Sequence, residues 1–257
     1  MEERPLFVSD VDNTLLWSVK HKRENDICVE QIREKDQGFM SPRVLELLPR
    51  VCRETLLIPL TTRSEEQYLR IRFPVEGTPR LAAVANGAVL LRNGQPDAEW
   101  RRDSEALIGP WREELGRMRE RLSSSERYIR CRVVDDAYLF VYCDKGIEPR
   151  EEARRLGEET SLSVTAAGKK IYLLPPLLHK GTAFERLRQR FPSAPALCAG
   201  DGEMDVPMLE RADIALLPDG LPCAPDGKTL RWNGEGRFAE FVLAGVLRET
   251  EEAPGIG

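Results

Sequence analysis

The sequence predicts an α/β fold with a doubly wound, parallel, Rossmann-like core and an inserted smaller α+β domain. Short apolar runs alternate with helical patterns in both terminal parts of the chain, which is typical of a parallel sheet covered by helices. Between them, residues 89–175 combine charged helices with pairs of strands joined by short turns, which is an antiparallel pattern. We therefore expect a core formed by residues 1–88 and 176–257 and an inserted domain at 89–175.

The first core elements are predicted from their apolar runs and helix signals. Residues 5–9 form a short apolar run that ends in an acidic cluster, as a buried strand before a polar turn does. Ser41 and Pro42 have the N-cap and N1 residue types of a helix through residue 54. The same patterns predict a strand within 55–64, a helix at 65–73 and a third strand at 81–91, interrupted by Asn86-Gly87.

The inserted domain reads as α-β-β-α-β-β. A helical stretch at 100–123 precedes two strands at 128–134 and 137–143, which are separated by Asp135-Asp136. A second helix follows, and then a second hairpin. The second helix is predicted at 148–160, and the strands of the second hairpin at 162–166 and 170–176. Back in the core, we predict a helix at 180–191, a strand at 195–201, a helix at 206–212, a strand at 214–218 and a helix at 236–247.

Composition excludes several classes of function. The 257 residues carry 38 basic and 43 acidic side chains, a net charge of −5, which gives no electrostatic footprint for nucleic acid. No apolar run is long enough to span a membrane, and the N-terminus has no signal-peptide layout, so we expect a cytoplasmic protein. None of the six cysteines forms a C-x-x-C pair, and there are only two histidines. Carboxylates and a metal ion are therefore the expected agents of any catalysis.

Polar residues follow the predicted core strands at four points. They are Asp10 and Asp12, then Thr61, then Lys180 at a helix start, and finally Asp201 with Asp205. Open α/β sheets bind ligands at the carboxyl ends of their strands, so these residues are expected to meet. The set suits phosphoryl transfer, with a carboxylate nucleophile and a lysine that offsets anionic charge. Mg²⁺ prefers such oxygen ligands, and Asp10, the Asp12 carbonyl and Asp201 could supply them.

At these residues the chain resembles the haloacid dehalogenase superfamily of phosphohydrolases. DVDNT, LTTR, HKGTA and GDGEMD are similar to its four motifs, in the same order, and the position of the insert also agrees. The ANGA segment and the order of the insert resemble the branch with a type-two cap, which includes Cof-type phosphatases, sucrose-phosphatase, mannosyl-3-phosphoglycerate phosphatase and trehalose-phosphate phosphatase. The resemblance implies a Mg²⁺-dependent phosphatase that acts on a small phosphorylated metabolite, such as a sugar phosphate, through an aspartyl-phosphate.

The resemblance also assigns roles to individual residues. Asp10 is the expected nucleophile and Asp12 the general acid and base. Thr61, Thr62 and Lys180 are expected to bind phosphate. Asp10, Asp12, Asp201 and Asp205 are expected at the Mg²⁺ site.

We expect residues outside the four motifs to determine which substrate the protein selects. Candidate substrate residues are Arg63, Asn86, Lys169 and Lys170. Residues 17–40 form a longer link than most relatives have, and they could be a flap over the substrate, a surface excursion or an oligomer contact. Two other functions stay open, a phosphosugar mutase similar to phosphomannomutase and a catalytically silent binding domain. We expect a monomer or homodimer with no nucleic-acid or membrane partner.

Overall fold

The structure is a computed structural model, and it describes residues 4–192 and 195–252. Residues 1–3 and 253–257, the two ends of the predicted core, lie outside the described residues. The strands are β1 (Leu6–Ser9), β2 (Trp17–Ser18), β3 (Ile27–Ile32), β4 (Lys35–Met40), β5 (Leu56–Pro59), β6 (Leu81–Val84), β7 (Val89–Arg92), β8 (Gln95–Pro96), β9 (Tyr128–Val134), β10 (Tyr138–Cys143), β11 (Ser163–Ala167), β12 (Lys170–Leu174), β13 (Ala196–Ala199), β14 (Ile214–Pro218) and β15 (Lys228–Trp232).

A five-stranded parallel sheet forms the centre of the molecule, in the order β15-β14-β13-β1-β5. Its middle strands are buried along their whole length because both faces of the sheet are covered. On β1, Phe7 contacts one apolar cluster, whereas Leu6 and Val8 contact the other. The predicted α/β class with a parallel core is therefore confirmed. The edge strand β15 was not predicted.

Helices lie on both faces of this sheet. The longer helices are α1 (Pro42–Glu54), α2 (Glu65–Leu69), α3 (Ala98–Ile108), α4 (Arg112–Ser123), α5 (Pro149–Gly157), α6 (Lys180–Arg190), α7 (Val206–Leu209) and α8 (Phe238–Glu252). Helices α1 and α8 pack together on one face, and α6 and α7 on the other. No helix within the described ranges has the length and apolar character needed to cross a bilayer.

Helix α1 begins as its sequence predicts. The Ser41 side chain accepts a hydrogen bond from the Val44 backbone N–H at 3.2 Å, and Pro42 occupies the first turn. Val44, Leu48 and Val51 form its buried stripe against the sheet. These contacts fix the helix directly behind the strands that carry the functional residues.

Three predicted elements differ from the structure. The helical stretch predicted at 100–123 is divided into α3 and α4 by a 3-10 turn at Gly109–Trp111, where Pro110 cannot donate a backbone hydrogen bond. Residues 81–91 form an antiparallel pair, β6 and β7, because Ala85 and Asn86 take positive φ angles and reverse the chain. An isolated parallel bridge between Leu60 and Ala83 joins this pair to the chain that follows β5. The helix predicted at 65–73 ends at Leu69, since the Arg72 backbone N–H donates instead to the Val29 carbonyl at 2.7 Å.

The insert contains a separate antiparallel sheet in the order β11-β12-β10-β9. One face carries Leu139, Val141, Ile171 and Leu173, all buried, and α4 and α5 cover it. The opposite face carries Arg132, Phe140 and Tyr172 side by side in the register of three neighbouring strands. We call this sheet with α4 and α5 the cap. The predicted domain limits at residues 88/89 and 175/176 stay predictions.

Residues 17–40 fold into a small antiparallel sheet in the order β2-β4-β3. We call this segment the link hairpin. Asp26 joins it to the core through an ion pair with Arg237, and within the segment the same carboxylate accepts a hydrogen bond from Trp17 Nε1 at 2.6 Å. The Arg237 guanidinium also stacks 3.9 Å from the centre of the Trp17 ring. The link hairpin is therefore an ordered part of the fold.

Candidate active site

The ends of two neighbouring strands bring the aspartates together. Asp10 follows β1 directly, and its backbone N–H donates to the Ala199 carbonyl at the end of β13 at 2.9 Å. Gly200 and Asp201 follow β13. Because the two strands are parallel neighbours, both acidic turns lie at the same edge of the sheet.

Lys180 lies between two of the carboxylates. Its Nζ is 2.5 Å from Asp10 Oδ1 and 2.5 Å from Asp205 Oδ1. Lys180 is the first residue of α6, and only 2% of its surface is exposed. A buried ammonium needs such partners, so this lysine is paired on both sides within the site.

Asp205 is oriented by backbone groups as well. Its Oδ2 accepts hydrogen bonds from the backbone N–H groups of Asp201 at 3.1 Å and Gly202 at 2.9 Å. Gly200 permits this arrangement, because a Cβ there would lie 2.4 Å from the Asp205 Cβ. Asp201 Oδ1 in turn accepts from the Thr14 hydroxyl at 3.3 Å.

The electrostatics of the cluster reflect an excess of negative charge. Burial, together with the neighbouring aspartates, raises the pKa of Asp10 well above its ordinary value. Burial and the Asp205 carboxylate raise the pKa of Asp201 to about 6. Burial alone would lower the pKa of Lys180, but Asp10 and Asp205 outweigh it and raise that pKa.

The cluster fits a hard divalent cation. One carboxylate oxygen each from Asp10, Asp201 and Asp205 can lie within 4.8 Å of the other two. Three carboxylates face one ammonium group, so the site holds surplus negative charge from oxygen donors, which suits Mg²⁺. The Asp12 carboxylate does not belong to this group of three, and the predicted role of Asp12 as a ligand stays a prediction.

Asp12 instead faces Arg63. The guanidinium contacts both carboxylate oxygens, from Nε at 2.9 Å and from Nη2 at 2.8 Å. Arg63 Nη2 also lies 2.9 Å from Glu30 Oε2 of the link hairpin, and Arg70 Nε lies 3.5 Å from Glu30 Oε1. Burial alone would raise the pKa of Asp12, but the hydrogen bonds and the charge of Arg63 outweigh this effect, so the pKa lies below its ordinary value.

The predicted phosphate and substrate residues occupy different positions. Thr61 is buried, and its hydroxyl accepts from the Arg63 backbone N–H at 3.2 Å. Thr62 lines the open cleft, and its carbonyl accepts from the Tyr138 hydroxyl at 2.5 Å. Asn86 is buried and donates to the Leu178 carbonyl at 2.9 Å. Their roles toward phosphate or substrate stay predictions.

Two cavities meet at this site. A cleft of about 950 Å³ runs over the aspartate cluster and past Lys169 and Lys170 of the cap. A smaller cavity of about 210 Å³ lies between the link hairpin, α2 and the cap sheet. We call it the side cavity. Both are lined by Asp12, Thr62, Lys170 and Tyr172, so the side cavity opens beside Asp12.

Several lining residues of the side cavity were missed by sequence reasoning. Two of them lie outside the cap, Glu30 in the link hairpin and Arg70 at the C-terminal end of α2. The other four lie on cap strands: Arg132, Tyr138, Phe140 and Tyr172. In the cap the signal was present, because aromatic and charged residues alternate with aliphatic ones along β9, β10 and β12.

No protein-family model and no curated protein sequence matches this chain. Solved structures do match in fold. The sucrose-phosphatase from Synechocystis, in complex with sucrose and phosphate, is 17% identical with a TM-score of 0.63, over 96% of this chain and 98% of that one. A trehalose-6-phosphate phosphatase related protein is 16% identical, with a TM-score of 0.59 over 96% of this chain and 99% of the other.

A third similar structure is the trehalose-6-phosphate phosphatase of Aspergillus fumigatus, 16% identical, with a TM-score of 0.53 over 96% of this chain and 92% of that one. These similarities extend over core and cap together. The fold implied by the resemblance of the four motifs is therefore confirmed, and this chain shares the overall architecture of these three solved structures.

Proposed function

We propose that this protein is a Mg²⁺-dependent phosphatase that hydrolyses a small sugar phosphate through an aspartyl-phosphate on Asp10. The observation that carries the proposal is the buried Asp10–Lys180–Asp205 arrangement with Asp201 beside it, at the strand ends next to an open cleft. The named sugar phosphatases among the similar structures support the substrate class.

In the first step, an Asp10 oxygen attacks phosphorus and the bond from phosphorus to the leaving oxygen breaks. Asp12 lies in the cleft beside Asp10 and gives a proton to that oxygen. Lys180 orients Asp10 and offsets the repulsion between the carboxylate and the anionic phosphate. Asp10, Asp201 and Asp205 would hold Mg²⁺ here, and the bound ion would neutralise further charge on the phosphate.

In the second step, water attacks phosphorus and frees Asp10. Asp12 accepts the proton of that water, and the ion pair with Arg63 favours the unprotonated form this requires. Proton donation in the first step requires that Arg63 loosen its contact with Asp12.

The test is phosphate release from a panel of sugar phosphates, glycosyl phosphoglycerates and nucleotides with Mg²⁺. Wild type, Asp10→Asn and Asp103→Asn are compared, since Asp103 is an exposed aspartate of α3. We expect rapid release from a few sugar phosphates, a loss of about 10³-fold or more in Asp10→Asn and in chelator, and no loss in Asp103→Asn.

Near-normal activity of Asp10→Asn would refute the nucleophile. Conversion of a hexose 1-phosphate to its 6-phosphate without release would identify a mutase instead. Neither release nor transfer from the whole panel would favour a binding domain.

A further inference from the structure

We propose that the leaving group of the substrate carries a second oxyanion, a carboxylate or another phosphate, and that Arg132 of the cap binds it in the side cavity. This inference rests on the proposed phosphatase function and adds the chemical class of the group released. Its basis is the charge pattern of the side cavity.

Cations outnumber acids around the side cavity. Four basic side chains line it, Arg63, Arg70, Arg132 and Lys170, against the carboxylates of Asp12 and Glu30. A cavity with such a surplus favours an anionic occupant. The phosphate that reacts at Asp10 does not use this surplus, because Lys180 and the aspartate cluster lie in the neighbouring cleft.

Two of the four cations already have partners. Arg63 contacts Asp12 and Glu30, and Arg70 contacts Glu30 and Glu66. The link hairpin therefore supplies the carboxylate, Glu30, that neutralises the α2 side of the cavity. Glu30 is buried, so this ion-pair group is a fixed part of the wall.

Arg132, on the opposite wall, is different. Its Nε is buried without a hydrogen-bond partner, and within the described ranges its guanidinium forms no ion pair. The nearby turn residue Asp135 acts on it only through its charge, since that carboxylate accepts from the Glu65 backbone N–H at 2.8 Å. A buried guanidinium donor without a partner is costly, and an oxyanion would satisfy it with paired hydrogen bonds.

The cap sheet sets the spacing between Arg132 and Tyr172, which lines the neighbouring cleft. Tyr172 on β12 lines both cavities, Phe140 on β10 is its neighbour, and Arg132 on β9 is next in the same register row. Neighbouring strands are about 4.8 Å apart, so Arg132 lies about 10 Å along the sheet from Tyr172. The rings of Tyr172 and Phe140 offer an apolar surface to the body of the leaving group.

Lys170 adds a second positive charge at the entrance. It lines both cavities and lies 5.9 Å from the centre of the Phe140 ring. The substrate expected from this geometry is a phosphate ester with its second anion at the far end of the leaving group. Arg132 binds that second anion, and Asp10 attacks the phosphorus of the ester.

Matched substrate pairs test this proposal. The carboxylate pair is 6-phosphogluconate and glucitol 6-phosphate, and the phosphate pair is fructose 1,6-bisphosphate and fructose 6-phosphate. We expect wild type to prefer the anionic member of at least one pair by about tenfold or more in kcat/KM. The pair that shows the preference distinguishes carboxylate from phosphate.

The variants are Arg132→Gln, Arg132→Lys and Arg130→Gln. Arg130 is on the same face of the same strand, is exposed and lines neither cavity, so it is the matched control. Arg132→Gln should remove the preference, because kcat/KM should fall about tenfold more for the anionic members than for the neutral ones. Arg132→Lys should restore part of the preference, and Arg130→Gln should retain it. A wild-type preference for neutral members, or an unchanged preference in Arg132→Gln, would overturn the proposal.

A binding measurement separates this proposal from the proposed function. Calorimetry with Asp10→Asn, with and without Arg132→Gln, reads the affinity of the same four probes without turnover. Tighter binding of the anionic probes that depends on Arg132 supports the oxyanion site even if wild type releases no phosphate. Equal affinity for both members of each pair refutes it, whatever the activity of the wild type.

Discussion

The two sides of Asp12 meet opposite kinds of charge. On the side of the parallel sheet, three carboxylates surround the single ammonium of Lys180. On the side of the link hairpin and cap, four cations line a cavity with two carboxylates. The first region suits a metal ion and the chemistry of a phosphate, and the second suits an anionic leaving group. We therefore assign the chemical step to the aspartate cluster and substrate recognition to the side cavity.

The comparison also extends to how each region is built. Strand ends and the first residue of α6 position the aspartate cluster, so the main sheet fixes its geometry. The side cavity has three walls from three different elements, the link hairpin, α2 and the cap sheet. Variants of the first region should therefore affect turnover and folding, whereas variants of the second should affect recognition.

The largest expected effect comes from Lys180→Met. It removes the ammonium group that pairs with the buried carboxylates of Asp10 and Asp205, so we expect unfolding free energy to fall by about 3–5 kcal/mol and turnover to be lost. Urea unfolding and phosphate release measure the two effects. Lys145→Met, at an exposed lysine of the cap, is the control and should change neither. A fully stable, active Lys180→Met protein would contradict the charge pattern described for the cluster.

A smaller effect is expected from Glu30→Gln. The substitution keeps the shape of the side chain but removes the charge that holds Arg63 and Arg70. We expect KM to rise about tenfold with kcat changed by less than about threefold, because these arginines line the cavity for the leaving group. Glu34→Gln in the exposed turn of the same hairpin is the control. A large fall in kcat with unchanged KM would instead place Glu30 in the chemical step.

The third prediction concerns stability alone, at Glu152 of α5, a buried carboxylate in a cationic environment. Arg155, Arg127 and Tyr128 donate to it, and the hydrogen bond from Arg155 is the largest cause that lowers the pKa of Glu152. A lowered pKa in the folded state stabilises the fold above the unfolded value, about 4.3, and this contribution is lost as the pH falls through the folded value.

Glu152→Gln should therefore destabilise the protein by about 1–3 kcal/mol at pH 7, and the difference from wild type should shrink below about pH 4. Denaturant unfolding across this pH range measures it, with exposed Glu126→Gln as the control. A difference that grows in acid would mean that the pKa of Glu152 is raised rather than lowered.

The sequence predicted the aspartate cluster far better than the side cavity, and the reason is physical. Asp10, Lys180 and Asp201 each come directly after an apolar run or at a helix start, and parallel strands bring such points to one edge. The contact between Arg63 and Asp12 joins residues 51 positions apart and depends on the turn after β5. No local sequence pattern shows that the Arg63 side chain will contact Asp12.

The missed strands show the same limit. Strand β15 is a half-exposed edge strand, so KTLRW has no continuous apolar run. The link hairpin carries charged residues on its outer face and packs Val29 and Phe39 inward, a pattern too short to separate a strand from a loop. Residues 81–91 read as one strand because a chain reversal at Ala85 and Asn86 leaves the apolar pattern intact.

The most direct test of the account is to find the phosphoryl group itself. Wild-type protein is mixed with its best sugar phosphate and Mg²⁺, quenched in acid during turnover, digested, and analysed by mass spectrometry. We predict one added phosphoryl group on the peptide that contains Asp10, removed by hydroxylamine and absent from Asp10→Asn. Turnover at the normal rate with the phosphoryl group on another residue, or a fully active Asp10→Asn protein, would contradict the account.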